Sequence, residues 1–376
     1  MDLGLPFALL SLPNGSIVCG FGLHSQQRPT ASGVYFWSRP FFSGSQYFAA
    51  ERVKYFSNIN ELLSDGRMVE LLAGGRAGGA QLATTGFGGP DRAIFDEDFE
   101  TIQSAIGRGD LKKAVPVAFE SAKLKGGPEK KQDARSAADL VILGRLLGFY
   151  ASLPETQRRH LFLYAWIDAE RSFMGLSPEF LLQSCGQNQW RSMALAGSCG
   201  LGEEDSALLA NQKERQEHQY VIDDIAERLS TLGLSPHAEQ THVARYPRLK
   251  HLRTYINWML PTGVLDSSDP LMGVRVAEAL HPTAALGVYP RTPEAQQLFE
   301  GLRSSRDRGY LGAPIGFVDS DRSIDQVTVA IRGIERRADE LWLGSGCGVV
   351  ADSEPNKEWS ELALKRSFMK QILGLI

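Results

Sequence analysis

Phe173-Met174-Gly175-Leu176-Ser177-Pro178-Glu179-Phe180-Leu181-Leu182 reads as an apolar strand interrupted by a proline and a glutamate. Strands avoid both residues, because proline lacks the ladder N–H and a carboxylate resists burial. Two environments fit Glu179. One is an edge or turn position in water. The other is an apolar pocket, where burial raises the carboxyl pKa and makes the group a proton donor. Further strand-like runs lie at Leu161–Trp166, Val327–Ile331 and Glu340–Leu343. Helical stretches fall near residues 96–107, 137–152, 206–232 and 357–373. Residues 7–22 read as a hairpin around the turn Pro13-Asn14-Gly15-Ser16. The elements keep no strict strand–helix–strand rhythm, which points to an α+β fold rather than a doubly wound parallel sheet. No repeat of 20–50 residues suggests a solenoid.

At 376 residues the chain has the length of two domains of about 150 residues each, yet no Pro/Ser-rich linker divides it. A formal net charge of -4 argues against a generally basic nucleic-acid binder. Cys19, Cys185, Cys199 and Cys347 are far apart, so neither a zinc site nor a disulfide framework is indicated, and a reducing cytoplasm is expected. The first residues lack the basic segment of a signal peptide, and no apolar run approaches the ~20 residues of a membrane helix. The glycine-rich residues 73–90 are expected to be irregular. The lysine-rich residues 122–135 are expected to be a solvated loop or helix end.

Charges stand where apolar residues belong. In Lys213-Glu214-Arg215-Gln216-Glu217-His218-Gln219-Tyr220-Val221-Ile222-Asp223-Asp224-Ile225, the residues Val221, Ile222, Ile225 and Leu229 form an apolar stripe. Four residues back from Val221 stands Glu217, and three further back stands Glu214. Either the first helical turn projects into water, or two carboxylates face inward and need a cation or many donors. The C-terminal helix repeats the pattern with Glu361 and Lys365 beside Trp359, Leu362, Phe368 and Met369. Here the alternative is an exposed ion pair. Two helices offering inward carboxylates would suit Mg²⁺, which takes oxygen ligands and often adds a substrate anion. Gly344-Ser345-Gly346-Cys347-Gly348 invites a dinucleotide reading, but Val349-Val350-Ala351 is expected to continue as strand rather than open a helix.

These stretches, in this order, resemble the chorismate-utilising enzymes, which include isochorismate, salicylate, anthranilate and aminodeoxychorismate synthases. The matching segments are Phe173–Leu182, Ala194–Ser198, Lys213–His218, Leu280–Gly287 with Pro290-Arg291, Arg308-Gly309, Val329–Arg332, and Gly346–Pro355 with Glu358–Glu361 and Lys365. They run from about residue 101 to the C-terminus, while residues 1–100 match only loosely. The resemblance implies one large α+β domain over residues 1–376, with two antiparallel sheets packed face to face, flanked by helices, around a deep pocket. It places Mg²⁺ on Glu217 and Glu361 with Glu214 close by, holding the ring carboxylate of chorismate. Arg332 would bind the pyruvyl carboxylate, and Lys365 would neutralise the anionic cluster. Gly197, His281, Thr283, Leu286 and Gly348 would line the pocket.

The family divides by nucleophile. Isochorismate and salicylate synthases use a lysine to activate water for attack at C2. In this chain Lys113 holds that place, with Lys112 beside it as the competing assignment and a surface lysine as the plain alternative. Glu179 would protonate the departing C4 hydroxyl. Leu280-His281-Pro282-Thr283 resembles the isochorismate branch, and this chain contains no glutaminase domain to supply ammonia. The expectation is a monomeric isochorismate synthase with chorismate as its small-molecule substrate, and no nucleic-acid or membrane partner. Its product would feed menaquinone or siderophore synthesis. A salicylate synthase or an aminating synthase is the alternative. The chain departs from the family's pattern at Pro116, expected to remove a ladder donor, and at Ala118, Leu311 and Ala313, all expected at the pocket wall.

Overall fold

The computed structural model describes residues 6–27, 33–76, 82, 84–125, 131–186, 188–260 and 271–375. Among these, sixteen strands form one antiparallel ladder. From the edge at His237–Ala238 it passes through Leu249–Met259, Gln189–Gly200, Phe180–Ser184, Ile324–Val329 and Pro314–Asp319. It continues through Val34–Ser38, Gln46–Phe56, Ile17–Gln26 and Phe7–Ser11. It closes with Phe162–Ile167, Arg171–Ser177, Gly333–Arg337, Glu340–Gly346 and Val117–Lys123. His242–Arg245 pairs off this path with Leu249–Met259. The strands of the first sixty residues therefore lie in the middle of the ladder, between strands contributed by later parts of the chain. The architecture is α+β, as expected, and the two packed layers are joined rather than separate.

Hydrophobic alternation explains why the ladder folds back. Met193 and Leu195 from one half share a buried cluster with Leu163, Ala165, Met174 and Leu176 from the other. Phe162 and Phe180 meet edge-on at 5.4 Å. Helices cover the outer faces. Val221, Ile225 and Leu229 of the helix Gln212–Thr231 pack with Ala194 and Ala196 of the strand Gln189–Gly200. Phe368, Met369 and Ile372 of the helix Pro355–Ile372 join Leu143 and Leu147 of the helix Lys131–Ser152.

Local sequence signals set most boundaries. Asn14 and Gly15 turn the first hairpin, with Gly15 at φ 85°. Asp91 caps the helix Arg92–Arg108, and Gly109 ends it in the left-handed region. The expected helix 206–232 is two helices, Asp205–Ala210 and Gln212–Thr231, because Asn211 caps the second through the Glu214 N–H. Pro293 and Pro355 each open a helix, where no N–H is needed. Val349 makes one bridge to Ala114 and the chain then turns, so the expected strand Val349–Ala351 does not form. Pro116 sits between Lys113–Ala114 and Val117–Lys123, so no ladder position loses a donor. Part of the glycine-rich run is helix, Gly66–Arg76, while Ala77–Gln81 and Ala83 lie outside the described residues, as do Gly126–Lys130. Among the described residues no helix is long and apolar enough to cross a membrane.

Candidate active site

Pro178 and Glu179 form the two-residue link between Arg171–Ser177 and Phe180–Ser184. The Ser177 hydroxyl holds the link at both ends. It donates to the Glu179 carbonyl at 3.0 Å and accepts the Glu179 N–H at 3.1 Å. The Glu179 side chain is buried in the wall of a cavity of about 610 Å³. Burial pushes its pKa up to about 8, against the opposing pull of Lys113, Lys365 and Arg332. The pocket environment, not the exposed turn, is the one Glu179 occupies.

Lys113 is completely buried, with its Nζ 3.1 Å from Glu217 Oε1. Lys112 points outward over the rings of Tyr220 and Tyr289, so of the two lysines it is Lys113 that faces the site. The alternation follows from the short pairing of Lys113–Ala114 with Val288–Tyr289, which sends successive side chains to opposite faces. Gly348 makes the meeting possible, since a Cβ there would collide with the Glu217 carboxylate and with Lys113 Cε.

The carboxylates converge from two helices. Glu217 is buried on the first turns of Gln212–Thr231, and Glu358 is buried on Pro355–Ile372. Lys213 Nζ bridges them, 2.9 Å from Glu358, 3.1 Å from Glu214 and 3.5 Å from Glu217. Glu361 pairs with Lys365 at 2.5 Å, and Lys365 also donates to the Gly346 carbonyl at 2.7 Å. Glu214 accepts the Ser198 N–H at 2.7 Å. Gly197 creates that donor. It occupies a β-bulge at φ 73°, where a Cβ would press on the Glu214 carbonyl at 2.8 Å.

The four carboxyls titrate apart. Burial and the neighbouring Glu361 and Glu217 raise Glu358 to about 7. Burial and Glu217 also raise Glu214. Burial opposes ionisation of Glu217 and Glu361 too, but the lysines beside them win and hold both below the usual carboxylate range. The donors are all hard oxygens, and Glu358 Oε2 is buried without a hydrogen-bond partner among the described residues, which fits a hard dication. The carboxylates stand around Lys213, and among the described residues no three His, Cys, Asp or Glu side chains are already drawn together as ligands.

Arg332 lines the cavity with its backbone in the left-handed region at φ 52°, rare for a residue with a side chain. Its Nη2 lies 3.3 Å from His251 Nε2. Burial lowers its pKa to about 10, so the guanidinium stays charged at neutral pH. Gly197, Leu286, Leu311, Gly348 and Lys365 are on the wall. His281 and Thr283, expected on the wall, stand behind it. His281 donates Nε2–H to the Phe41 carbonyl at 2.9 Å, and burial lowers its pKa to about 3, leaving it neutral. The Thr283 carbonyl accepts from Leu286 and Gly287, and this turn presents Ala285 and Leu286 to the cavity. Ala118 pairs with Ser345 in the ladder, and Ala313 is buried in the core.

Sequence reading missed Glu358, Lys213, Ser198 and His251. Glu358 was detectable, because it lies three residues before Glu361 on the same helical face. His251 carried no signal, since its place beside Arg332 depends on pairing between distant strands.

A family model described as chorismate binding enzyme matches residues 148–374. The salicylate biosynthesis isochorismate synthase of Pseudomonas aeruginosa is 34% identical over 225 residues, 57% of this chain and 44% of that protein. The isochorismate synthase EntC of Escherichia coli is 32% identical over 212 residues, 54% of this chain and 51% of that protein. The chain thus spans about half the length of these curated relatives. Among solved structures, the menaquinone-specific isochorismate synthase MenF of Escherichia coli superposes with a TM-score of 0.70 at 18% identity, covering 99% of this chain and 90% of that one. At that identity the likeness speaks for the fold.

Proposed function

The chain belongs to the chorismate-binding enzymes, and from that premise we propose that it is an isochorismate synthase, converting chorismate reversibly to isochorismate. The observation that carries this reading is the buried Glu179, whose carboxyl keeps its proton to about pH 8 in a cavity that also presents Arg332 and Lys365. Such a group can hand a proton to a departing hydroxyl at neutral pH.

Arg332 pairs with the pyruvyl carboxylate through its planar fork. Magnesium, when bound, would neutralise the ring carboxylate, and Glu217 and Glu361, with Glu214 and Glu358 beside them, are the residues that would hold it. A water molecule attacks C2 of the ring and passes a proton to Lys113 Nζ, the general base in this reading. The ring double bonds shift, and the C4–oxygen bond breaks. Glu179 supplies the proton with which that oxygen leaves as water. One water enters and one departs, so the product is an isomer. Glu179 and Lys113 then return to their starting forms by proton exchange with solvent. Reversal follows from the same two groups exchanging roles.

The test is chromatography of chorismate incubated with the protein, with and without Mg²⁺. A metal-dependent mixture of chorismate and isochorismate that stops short of completion is expected. Salicylate with pyruvate would transfer the protein to the pyruvate-eliminating branch. Product only when ammonia is added would transfer it to the aminating branch, and no product at all would overturn the reading.

A further inference from the structure

Beside the substrate cavity lies a second, larger hollow of about 1040 Å³. Among the described residues only Ser198 and Glu361 line both. Its floor is formed by the outer sides of Glu214, Glu358 and Glu361, with Lys213 among them. Its rim carries the exposed carboxylates of Glu203, Asp352 and Glu354. The ammonium on that rim, Lys357, is already paired with Glu354 at 2.6 Å. Carboxylates therefore outnumber ammonium groups on both rim and floor. A second observation points the same way, since Glu358 lines this hollow and its buried Oε2 has no hydrogen-bond partner among the described residues. The substrate cavity is more balanced, with Arg332 and Lys365 on its wall beside Glu179, Glu217 and Glu361.

A concave surface of one sign focuses its field and enriches ions of the opposite sign. A dication is drawn into the acidic hollow, while a dicarboxylate is repelled from it. Lys213 stands at the inner end, its ammonium shared by Glu214, Glu217 and Glu358. We propose that this hollow is the port through which a divalent cation reaches the Glu217–Glu361 pair, and that the anionic substrate arrives by another route. The inference rests on the reading of Glu217 and Glu361 as cation-holding residues. It adds that metal and substrate do not compete for one entrance.

The test uses the full chain and Mn²⁺ alone as probe. Association is followed by stopped-flow quenching of tryptophan fluorescence, with Trp359 adjacent to Glu358 as the reporter. Affinity is measured by electron paramagnetic resonance of free Mn²⁺. The variant Glu203→Gln/Asp352→Asn/Glu354→Gln changes only exposed rim residues. At low ionic strength its Mn²⁺ association is expected to slow about tenfold, a gap that closes as salt screens the rim. Its affinity for chorismate is expected to hold or rise slightly. An association rate equal to wild type at low salt, or a slowing that high salt leaves intact, would overturn the port while leaving the metal site standing. No Mn²⁺ binding by wild-type protein, with or without chorismate, would overturn both.

Discussion

Two of the sets of buried charges in this molecule are built in opposite ways. Behind the sheet, Arg336 and Asp139 form a closed knot. Arg336 Nε lies 3.0 Å from both Asp139 oxygens and Nη2 lies 2.8 Å from one of them. The remaining guanidinium donors reach the carbonyls of Asp168 and Ala338, and Ser172 donates to Asp139. Around the cavity the bonding is incomplete. Among the described residues, Lys113 Nζ has an ion-pair contact but no hydrogen bond of good geometry, and Glu358 Oε2 has no hydrogen-bond partner. A saturated buried pair can only stabilise or orient, because every lone pair and proton is committed. An unsaturated one keeps capacity for a ligand, and the protein bears the desolvation cost until that ligand arrives.

The largest effects should come from breaking the open set. Lys113→Ala is expected to lower isochorismate formation at least a thousandfold, in the range of lost acid–base catalysis, while chorismate still binds in a calorimetric titration. An active variant would sink the assignment of Lys113 as base. Glu179→Gln should be as inactive. In the wild type, activity should fall as pH rises past about 8, where Glu179 loses its proton. The same residue has a stability signature. The folded chain holds this proton to about 8, whereas a free glutamate releases it near 4.5. Stability therefore declines as pH rises between those values and stays reduced above them. Glu179→Gln should flatten that decline in a denaturant series.

Breaking the closed set should do the reverse. Asp139→Ala leaves Arg336 buried without its carboxylate and is expected to cost about 3–5 kcal/mol in chemical denaturation. The folded fraction should turn over chorismate at the wild-type rate, and a selective loss of turnover would tie the knot to the site. A smaller effect belongs to the bulge. Gly197→Ala puts a side chain at φ 73° against the Glu214 carbonyl, and is expected to cost about 1–3 kcal/mol with weakened Mn²⁺ binding. The smallest belongs to the surface. Lys357→Ala removes an ion pair whose two side chains are 75% and 62% exposed, and should change the unfolding free energy by less than about 0.5 kcal/mol.

Much of this organisation is legible in the chain itself. Apolar periodicity and turn residues mark the hairpin at 7–22, helices near 96–107 and 137–152, and the strands around Phe173 and Leu341. Glu179 and Glu217 betray themselves because a charge on an apolar line needs a reason, and that reason is local in sequence. His281 and Thr283 show where such reasoning fails. Their identity suits a pocket, but the bond from His281 to the Phe41 carbonyl spans 240 residues and turns the ring into the core. Lys112 and Lys113 were indistinguishable as letters, and one short strand pairing separates them.

What the sequence determined by itself is the inventory: an α+β pattern, one carboxyl in an apolar run, and two helices with acidic inner turns. Those follow from the periods of 2 and 3.6 residues and from the cost of burying charge. The tertiary structure alone decided which charges meet. It put Lys213 among Glu214, Glu217 and Glu358, His251 beside Arg332, and an acidic hollow outside the cavity. Coulomb and hydrogen-bond energies fall steeply with separation, and separation across a folded sheet is set by ladder register and helix packing, which no single stretch of the chain contains.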